Sequence, residues 1–116
     1  MTGRPRFRRR SVQCATPGGL HRLSYVEWGG SRAARGALVC VHGLTRCARD
    51  FDSLAQALAD QYRVICPDMP GRGYSEWLKN PLEYALPTYL NDLVTLIARL
   101  DVEQVDWVGT SMGGLI

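Results

Sequence analysis

The sequence predicts an α/β fold in which helices cover a mainly parallel sheet. Residues 38–41 form a short continuous apolar run that is typical of a strand buried on both faces, and residues 64–66 and 105–108 are two further strand-like runs. The segments 51–59 and 90–100, between these runs, carry apolar residues at helical spacing. Because strands and helices alternate, we expect parallel strands joined by right-handed crossover connections.

The N-terminal part predicts an antiparallel hairpin ahead of the parallel strands. Residues 10–16 and 20–28 have the composition of two strands, and the Pro-Gly-Gly at 17–19 is a hairpin turn signal. The two glycines at 29–30 are expected to end the second strand. The predicted order is strand, strand, strand, helix, strand, loop, helix, strand.

Each predicted helix has one apolar face that is expected to cover the sheet. The faces are formed by Phe51, Leu54, Ala55, Leu58 and Ala59 in the first helix and by Leu90, Leu93, Val94, Ile97 and Leu100 in the second. Pro87 suits the first turn of the second helix. Trp28 and Trp107 are predicted to lie in the core.

The last predicted strand runs directly into Gly109-Thr110-Ser111-Met112-Gly113. A serine in Gly-x-Ser-x-Gly, at a turn from strand to helix, forms the nucleophile elbow of acyl-transfer enzymes. Glycine at both ends removes the side chains that would clash in so tight a bend. The simpler alternative is a glycine-rich turn that contains a serine by chance.

Two other strands end in loops with unusual composition. Residues 42–45 read His-Gly-Leu-Thr, and residues 67–75 read Pro-Asp-Met-Pro-Gly-Arg-Gly-Tyr-Ser. Since function in open parallel sheets gathers at the carboxyl ends of the strands, both loops and the elbow are expected at one edge of the sheet.

Together these three motifs resemble the α/β-hydrolase fold family, over about residues 20–116. The fold that the resemblance implies is the N-terminal half of an α/β-hydrolase sheet. By this resemblance Ser111 is the nucleophile, and the backbone N–H groups of Leu44 and Met112 form the oxyanion hole. His42 and Gly43 would shape the oxyanion loop, and Gly109 and Gly113 the elbow.

The resemblance also assigns the loop that follows the fourth strand. Asp68 is expected to shape the site without doing chemistry, and Arg72 and Ser75 to stabilise the loop, although either is also placed to line a pocket. The connection from Asp68 to about residue 86 is long, which is typical of functional or disordered loops. Its aromatic side chains, Tyr74, Trp77 and Tyr84, either contact a substrate or pack over the second helix.

The resemblance implies a serine hydrolase acting on a small-molecule ester, lactone, thioester or C–C bond, without cofactor or metal. The family's catalytic acid and histidine would lie beyond residue 116, and His21 is expected far from the elbow. The 116 residues alone are therefore predicted to be inactive and poorly stable, with the fifth strand forming an open edge. The alternative is a catalytically dead binding protein or a truncated gene product.

The net charge of +3 is concentrated at the N-terminus, where five arginines stand among the first ten residues. We expect residues 1–10 to be a basic, flexible terminus and residues 11–116 to be the N-terminal part of a single domain. Such a tail is also compatible with a tether to nucleic acid or to an anionic membrane. A solvated terminus is favoured, so the expected partner is a small-molecule substrate, with neither nucleic acid nor membrane, and the oligomeric state stays open.

The four cysteines are not predicted to form a metal site or a disulfide. Cys14, Cys40, Cys47 and Cys66 show no metal-binding spacing. In the family sheet Cys40 and Cys66 would lie on neighbouring strands, but a disulfide is not expected in the cytoplasm, the predicted location. No run reaches the roughly 18 apolar residues of a transmembrane helix.

Overall fold

Residues 7–29, 36–102 and 104–116 are described by the structure, which is a computed structural model. The elements follow the predicted order: β1 (Phe7–Thr16), β2 (Gly19–Trp28), β3 (Ala37–Val41), α1 (Asp52–Leu58), β4 (Arg63–Pro67), α2 (Leu86–Leu100), β5 (Val105–Gly109) and α3 (Met112–Leu115), with 3-10 turns at Ala48–Phe51 and Pro81–Glu83. Within the described residues, no helix is long and apolar enough to cross a bilayer.

The described strands form one sheet in the order β1-β2-β4-β3-β5. β2 pairs antiparallel with β1 and with β4, whereas β3 pairs parallel with both β4 and β5. Val39 in the middle of β3 lies beside Ile65 on one side and Trp107 on the other. The carboxyl ends of β3, β4 and β5 therefore lie at one edge, which confirms the predicted fold class.

The first strand begins earlier than the sequence predicts. Residues 7–10 pair with residues 25–28 and belong to the sheet, so the flexible terminus predicted for residues 1–10 is wrong for these four. The Phe7 ring packs against Trp28, with centroids 5.2 Å apart. Arg8 and Arg10 lie 3.7 and 3.4 Å from the buried Glu27 carboxylate. Arg8 and Arg10 thus have a cross-strand partner, which the composition of the segment does not reveal. The residues Arg4, Arg6 and Gly30 lie outside the described residues.

Alternate residues of the strands fill two separate cores, one on each face of the sheet. The core beneath α2 contains Val39 and Val41 of β3, and the core beneath α1 contains Leu38 and Cys40 of the same strand. This is the period-two alternation of a strand covered on both faces. Helices thus cover both faces of the sheet and leave its carboxyl edge open for loops.

The buried face of α2 is rotated from the predicted one. Leu90 and Val94 are 50% and 56% exposed, so their placement in the core was wrong. The buried side chains are Tyr89, Asp92, Leu93, Leu96 and Leu100. The prediction failed because Asp92, a charged residue, occupies the centre of the face that meets the sheet. Leu54 of α1, also predicted to be buried, is 39% exposed.

The two tryptophans differ in burial because they lie in different strands of the sheet. Trp28 is buried, as predicted, but Trp107 is 37% exposed, and the prediction that it lies in the core was wrong. Trp107 belongs to β5, which is the edge strand of the described sheet. Its indole N–H donates a hydrogen bond to the Gly113 carbonyl, over 3.3 Å.

The thiols of Cys40 and Cys66 lie on neighbouring strands, as predicted. Both side chains are buried, and all four cysteines are free. The two thiols share a hydrogen bond, which lowers the pKa of Cys40 and raises that of Cys66. In this structure Cys40 and Cys66 contribute to the core as small buried side chains.

A very close approach joins α3 to the ends of β3 and β5. A Cβ atom on Gly113 would collide with the Val41 carbonyl and lie 2.7 Å from the Val41 carbon. A Cβ on Gly109 would lie 2.5 Å from the Gly114 nitrogen. The Thr110 N–H donates to the Val41 carbonyl at 3.0 Å. Only glycine at positions 109 and 113 permits a turn this tight.

We predict that Gly113→Ala destabilises the full-length protein by about 3 kcal/mol, because the new methyl group overlaps backbone that has no room to move. The matched control is Gly114→Ala, where the nearest atom is at an ordinary 3.5 Å. This control is expected to change stability by no more than about 1 kcal/mol. Urea unfolding of the two variants measures the difference; equal free energies of unfolding would contradict the packing described here.

Candidate active site

Ser111 stands at the junction of β5 and α3 in a backbone conformation that side chains rarely adopt. Its φ and ψ are 54° and −115°. Among the described residues only one other non-glycine residue, Asp101 at the end of α2, has a positive φ. Such a conformation typically costs about 1–3 kcal/mol and persists where the surrounding structure imposes it. Here the imposed bend leaves Ser111 exposed at the carboxyl edge of the sheet.

The loop after β3 lies directly against this serine. A Cβ placed on Gly43 would be 3.5 Å from the Ser111 Cβ and 3.6 Å from the Thr110 carbonyl oxygen. Gly43 is buried and Leu44, the next residue, is exposed. The structure thus brings together the two segments that the sequence predicted to form one site.

His42 fixes the orientation of the peptide bond that links Gly43 to Leu44. Its Nδ1 lies 2.6 Å from the Gly43 carbonyl oxygen, and its Nε2 lies 2.9 Å from the Met69 nitrogen. The Arg46 N–H donates to the same Gly43 carbonyl at 3.2 Å. Because a trans peptide is planar, holding this C=O also sets the direction of the Leu44 N–H, which points the opposite way.

Arg72 holds the other side of Leu44. Its Nε donates to the Leu44 carbonyl at 3.0 Å, and its Nη1 donates to the Pro70 carbonyl and to the Tyr89 hydroxyl at 3.0 and 3.1 Å. One guanidinium therefore joins the loop after β3, the loop after β4 and α2. These contacts agree with the predicted stabilising role of Arg72.

Asp68 is buried and organises both loops through backbone contacts. Its carboxylate accepts hydrogen bonds from the N–H groups of Ala48 and Tyr74, at 2.8 and 3.0 Å. The Ser75 hydroxyl donates to the Asp68 carbonyl at 2.6 Å and accepts from the Ser24 N–H at 2.8 Å. Both residues thus shape the loop, as the sequence predicted.

Two depressions flank Arg72. One, of about 330 Å³, is mostly apolar and aromatic and is lined by Leu44, Pro70, Gly71, Arg72, Trp77, Tyr84 and Tyr89. Trp77 and Tyr84, whose roles the sequence left open, therefore face a cavity beside the loop that follows β3. Tyr74 does not line it; the Arg9 guanidinium lies over its ring, 3.7 Å from the centroid. The second depression, of about 480 Å³, is charged.

The sequence did not predict a buried polar cluster between the hairpin and α2. His21 Nε2 lies 2.6 Å from Asp92 Oδ2, and the Cys14 thiol also hydrogen-bonds Asp92. Cys14 and His21 are cross-strand partners, so the hairpin register places them together. The sequence signal for this cluster was the spacing of Asp92, which places it on the same face of α2 as Tyr89 and Leu96.

The three side chains of this cluster satisfy one another only in part, because His21 Nδ1 and Asp92 Oδ1 are buried without a hydrogen-bond partner among the described residues. The three side chains offer possible metal ligands within 4.8 Å of one another. However, burial and the neighbouring Asp92 raise the pKa of the Cys14 thiol to about 12, which keeps it protonated. Burial also raises the pKa of Asp92, an effect that the His21 hydrogen bond opposes. The direct contact between His21 and Asp92 joins the hairpin to α2 through a buried polar pair.

The environment of His42 keeps its imidazole neutral. The side chain is fully buried, and burial lowers its pKa below the ordinary value. One ring nitrogen faces a carbonyl and the other faces an N–H, so the fitting form is the neutral tautomer with the proton on Nδ1. A ring with both nitrogens engaged in hydrogen bonds is not free to act as a base.

We predict that His42 in the full-length protein is neutral, with its proton on Nδ1, at pH 7. Since its pKa is lower in the folded than in the unfolded state, its contribution to stability is complete above about pH 6.5 and is lost as the pH falls through the folded-state value. Ring ¹⁵N chemical shifts measure this directly, with a histidine-containing peptide as reference. An imidazolium at pH 7, or a proton on Nε2, would contradict the hydrogen-bond assignment.

Comparison with known proteins agrees with this architecture. The family model described as alpha/beta hydrolase fold matches residues 36–116. A crystal structure of an alpha/beta hydrolase from Novosphingobium aromaticivorans superposes with a TM-score of 0.86 at 40% identity, covering 97% of this chain and 38% of that one.

Two curated relatives carry hydrolase names. The 3-hydroxybutyrate-oligomer hydrolase of Cupriavidus necator is 62% identical over 105 residues, which are 90% of this chain and 36% of that protein. The pimeloyl-[acyl-carrier protein] methyl ester esterase of Pectobacterium atrosepticum is 30% identical over 94 residues, 81% of this chain and 34% of that protein. The chain spans about a third of the length of these relatives. Because the family model matches well over half of the chain, this chain belongs to the alpha/beta hydrolase fold family.

Proposed function

We propose that the full-length protein is a serine hydrolase of small-molecule esters, with Ser111 as the nucleophile. The observation that carries the proposal is the strained, exposed conformation of Ser111, with φ of 54°, beside the loop that contains Leu44. A strained residue that the surrounding packing maintains is a candidate functional residue. A chance serine in a glycine-rich turn would not require the close approach of α3 to Val41.

In the proposed reaction the Ser111 hydroxyl attacks the ester carbonyl, and the negative oxygen that develops is bound by the N–H groups of Leu44 and Met112. Met112 is the first residue of α3, so its N–H has no partner within the helix. The Leu44 N–H is oriented through His42 and Arg72. Each such donor typically contributes about 3–4 kcal/mol of transition-state stabilisation.

The proposed base is a histidine outside these 116 residues. The sequence has two histidines, and neither is available: His42 has both ring nitrogens engaged, and His21 is buried against Asp92. An unactivated serine is a weak nucleophile at neutral pH. We therefore propose that the 116 residues alone do not turn over an ester.

The substrate class is proposed from the relatives. The similarity to the Cupriavidus necator protein favours esters of short hydroxy acids over lactones, thioesters and C–C bonds. The aromatic depression beside Leu44 is suited to the apolar part of such a substrate. We propose that the reaction takes place in the cytoplasm, where the four free thiols would persist.

We predict that Ser111→Ala lowers the turnover of p-nitrophenyl butyrate by the full-length protein by at least roughly a thousandfold, because the acyl-enzyme intermediate can no longer form. Ser53→Ala, which alters an exposed serine of α1, is the matched control and should behave as the wild type. A fluorophosphonate probe should label the wild type at Ser111 and leave Ser111→Ala unlabelled. A wild-type protein that neither turns over the ester nor takes up the probe would contradict the proposal and favour a binding protein.

A further inference from the structure

The charged depression beside the oxyanion loop carries a surplus of positive charge. It has a volume of about 480 Å³ and is lined by Thr45, Arg46, Cys47, Asp50, Arg72 and Gly73. The lining holds two guanidinium groups and one carboxylate, and since that carboxylate pairs with Arg46, the positive charge of Arg72 is left without a countercharge in the lining. The hydroxyl of Thr45 adds a further hydrogen-bond donor. A cavity of this composition is suited to an anionic group.

Arg46 connects this depression to the proposed nucleophile. Its Cγ lies 3.8 Å from the position of a Cβ on Gly43, and that same position lies 3.5 Å from the Ser111 Cβ. The Arg46 side chain therefore starts on the same side of Gly43 as Ser111, and its guanidinium extends from there into the charged depression.

The two arginines of the depression are not equivalent. Arg72 is committed to three acceptors: the carbonyls of Leu44 and Pro70 and the hydroxyl of Tyr89. Within the described part of the chain, Arg46 uses Nε and Nη2 on the Asp50 carboxylate, at 2.7 and 3.0 Å. A guanidinium has five N–H donors, so Arg46 retains donors for a ligand while Asp50 holds it in place. Arg46 is the better candidate for the ligand contact.

An exposed arginine–aspartate pair is often no more than a weak surface contact. The Arg46 side chain is 65% exposed, and a pair at this spacing typically contributes about 0.5 kcal/mol or less to stability. The small stabilisation from the Arg46–Asp50 pair therefore does not explain why an arginine lines this depression. The donors that Arg46 retains, in a depression whose net positive charge comes from Arg72, are the basis for expecting a contact with an anionic substrate.

We propose that this depression binds the terminal carboxylate of an oligomeric hydroxy-acid ester, with Arg46 as the anchoring residue. This inference rests on the proposed ester hydrolysis at Ser111. An oligomer of a 3-hydroxy acid ends in a carboxylate that lies one hydroxy-acid unit away from the last ester carbonyl. Binding of that carboxylate beside Ser111 directs cleavage to the terminal ester, and Arg46 thereby sets specificity for acids over neutral esters.

The test compares two substrates of the full-length protein, the linear 3-hydroxybutyrate dimer and its terminal carboxamide, which has the same shape without the charge. The measured quantity is the ratio of kcat/KM for acid over amide. We expect the wild type to prefer the acid and Arg46→Gln to lower the ratio about tenfold, chiefly through KM for the acid, as loss of one hydrogen bond to a charged group implies. Arg46→Lys should recover part of the preference.

The matched control is Arg49→Gln. Arg49 is an exposed arginine three residues away that pairs with Asp52 and lies over the Phe7 ring, outside the depression. It should leave the acid-to-amide ratio at the wild-type value. A wild type that does not prefer the acid, or an Arg46→Gln variant that loses acid and amide activity equally, would overturn the inference. Either result leaves the role of Ser111 untouched, because that role is judged on p-nitrophenyl butyrate.

Discussion

The site depends on one steric constraint, the close approach of the α3 backbone to the end of β3. Gly113 lies so near the Val41 carbonyl that no Cβ fits there. Gly109 lies similarly close to the backbone of Gly113 and Gly114. With both ends of the turn held in this way, Ser111 is forced into a positive φ and stands out from the sheet edge. Packing between backbone atoms thus maintains a conformation that the serine would not adopt alone.

The loop after β3, which faces Ser111, is held in place by a network of hydrogen bonds and not by close backbone packing. His42 and Arg72 hold the carbonyls on either side of Leu44, while the buried Asp68 carboxylate binds backbone N–H groups of both loops. The arrangement keeps peptide dipoles in fixed directions before any substrate arrives, which is the condition for electrostatic stabilisation of a developing charge. The helix and the loop are therefore rigid for different reasons, but they meet at one serine.

Most of the fold could be predicted from the sequence because its signals are local. The apolar runs of β3, β4 and β5 and the Gly-x-Ser-x-Gly turn are patterns within a few residues, and the structure has an element at each. What failed depended on distant partners. Asp92 lies on the core face of α2 because His21, far away in sequence, pairs with it, and so the predicted face was misplaced. Arg8 and Arg10 belong to a strand, not to a flexible terminus, because Glu27 lies across from them.

A crystal structure of the full-length protein after reaction with diethyl p-nitrophenyl phosphate would test directly whether Ser111 is the nucleophile and faces the N–H groups of Leu44 and Met112. The adduct mimics the tetrahedral intermediate and reports where the negative oxygen lies. We expect a phosphorus bonded to the Ser111 oxygen and a phosphoryl oxygen about 3 Å from the backbone nitrogens of Leu44 and Met112. An adduct on another residue, or a phosphoryl oxygen that points away from Leu44, would contradict this expectation.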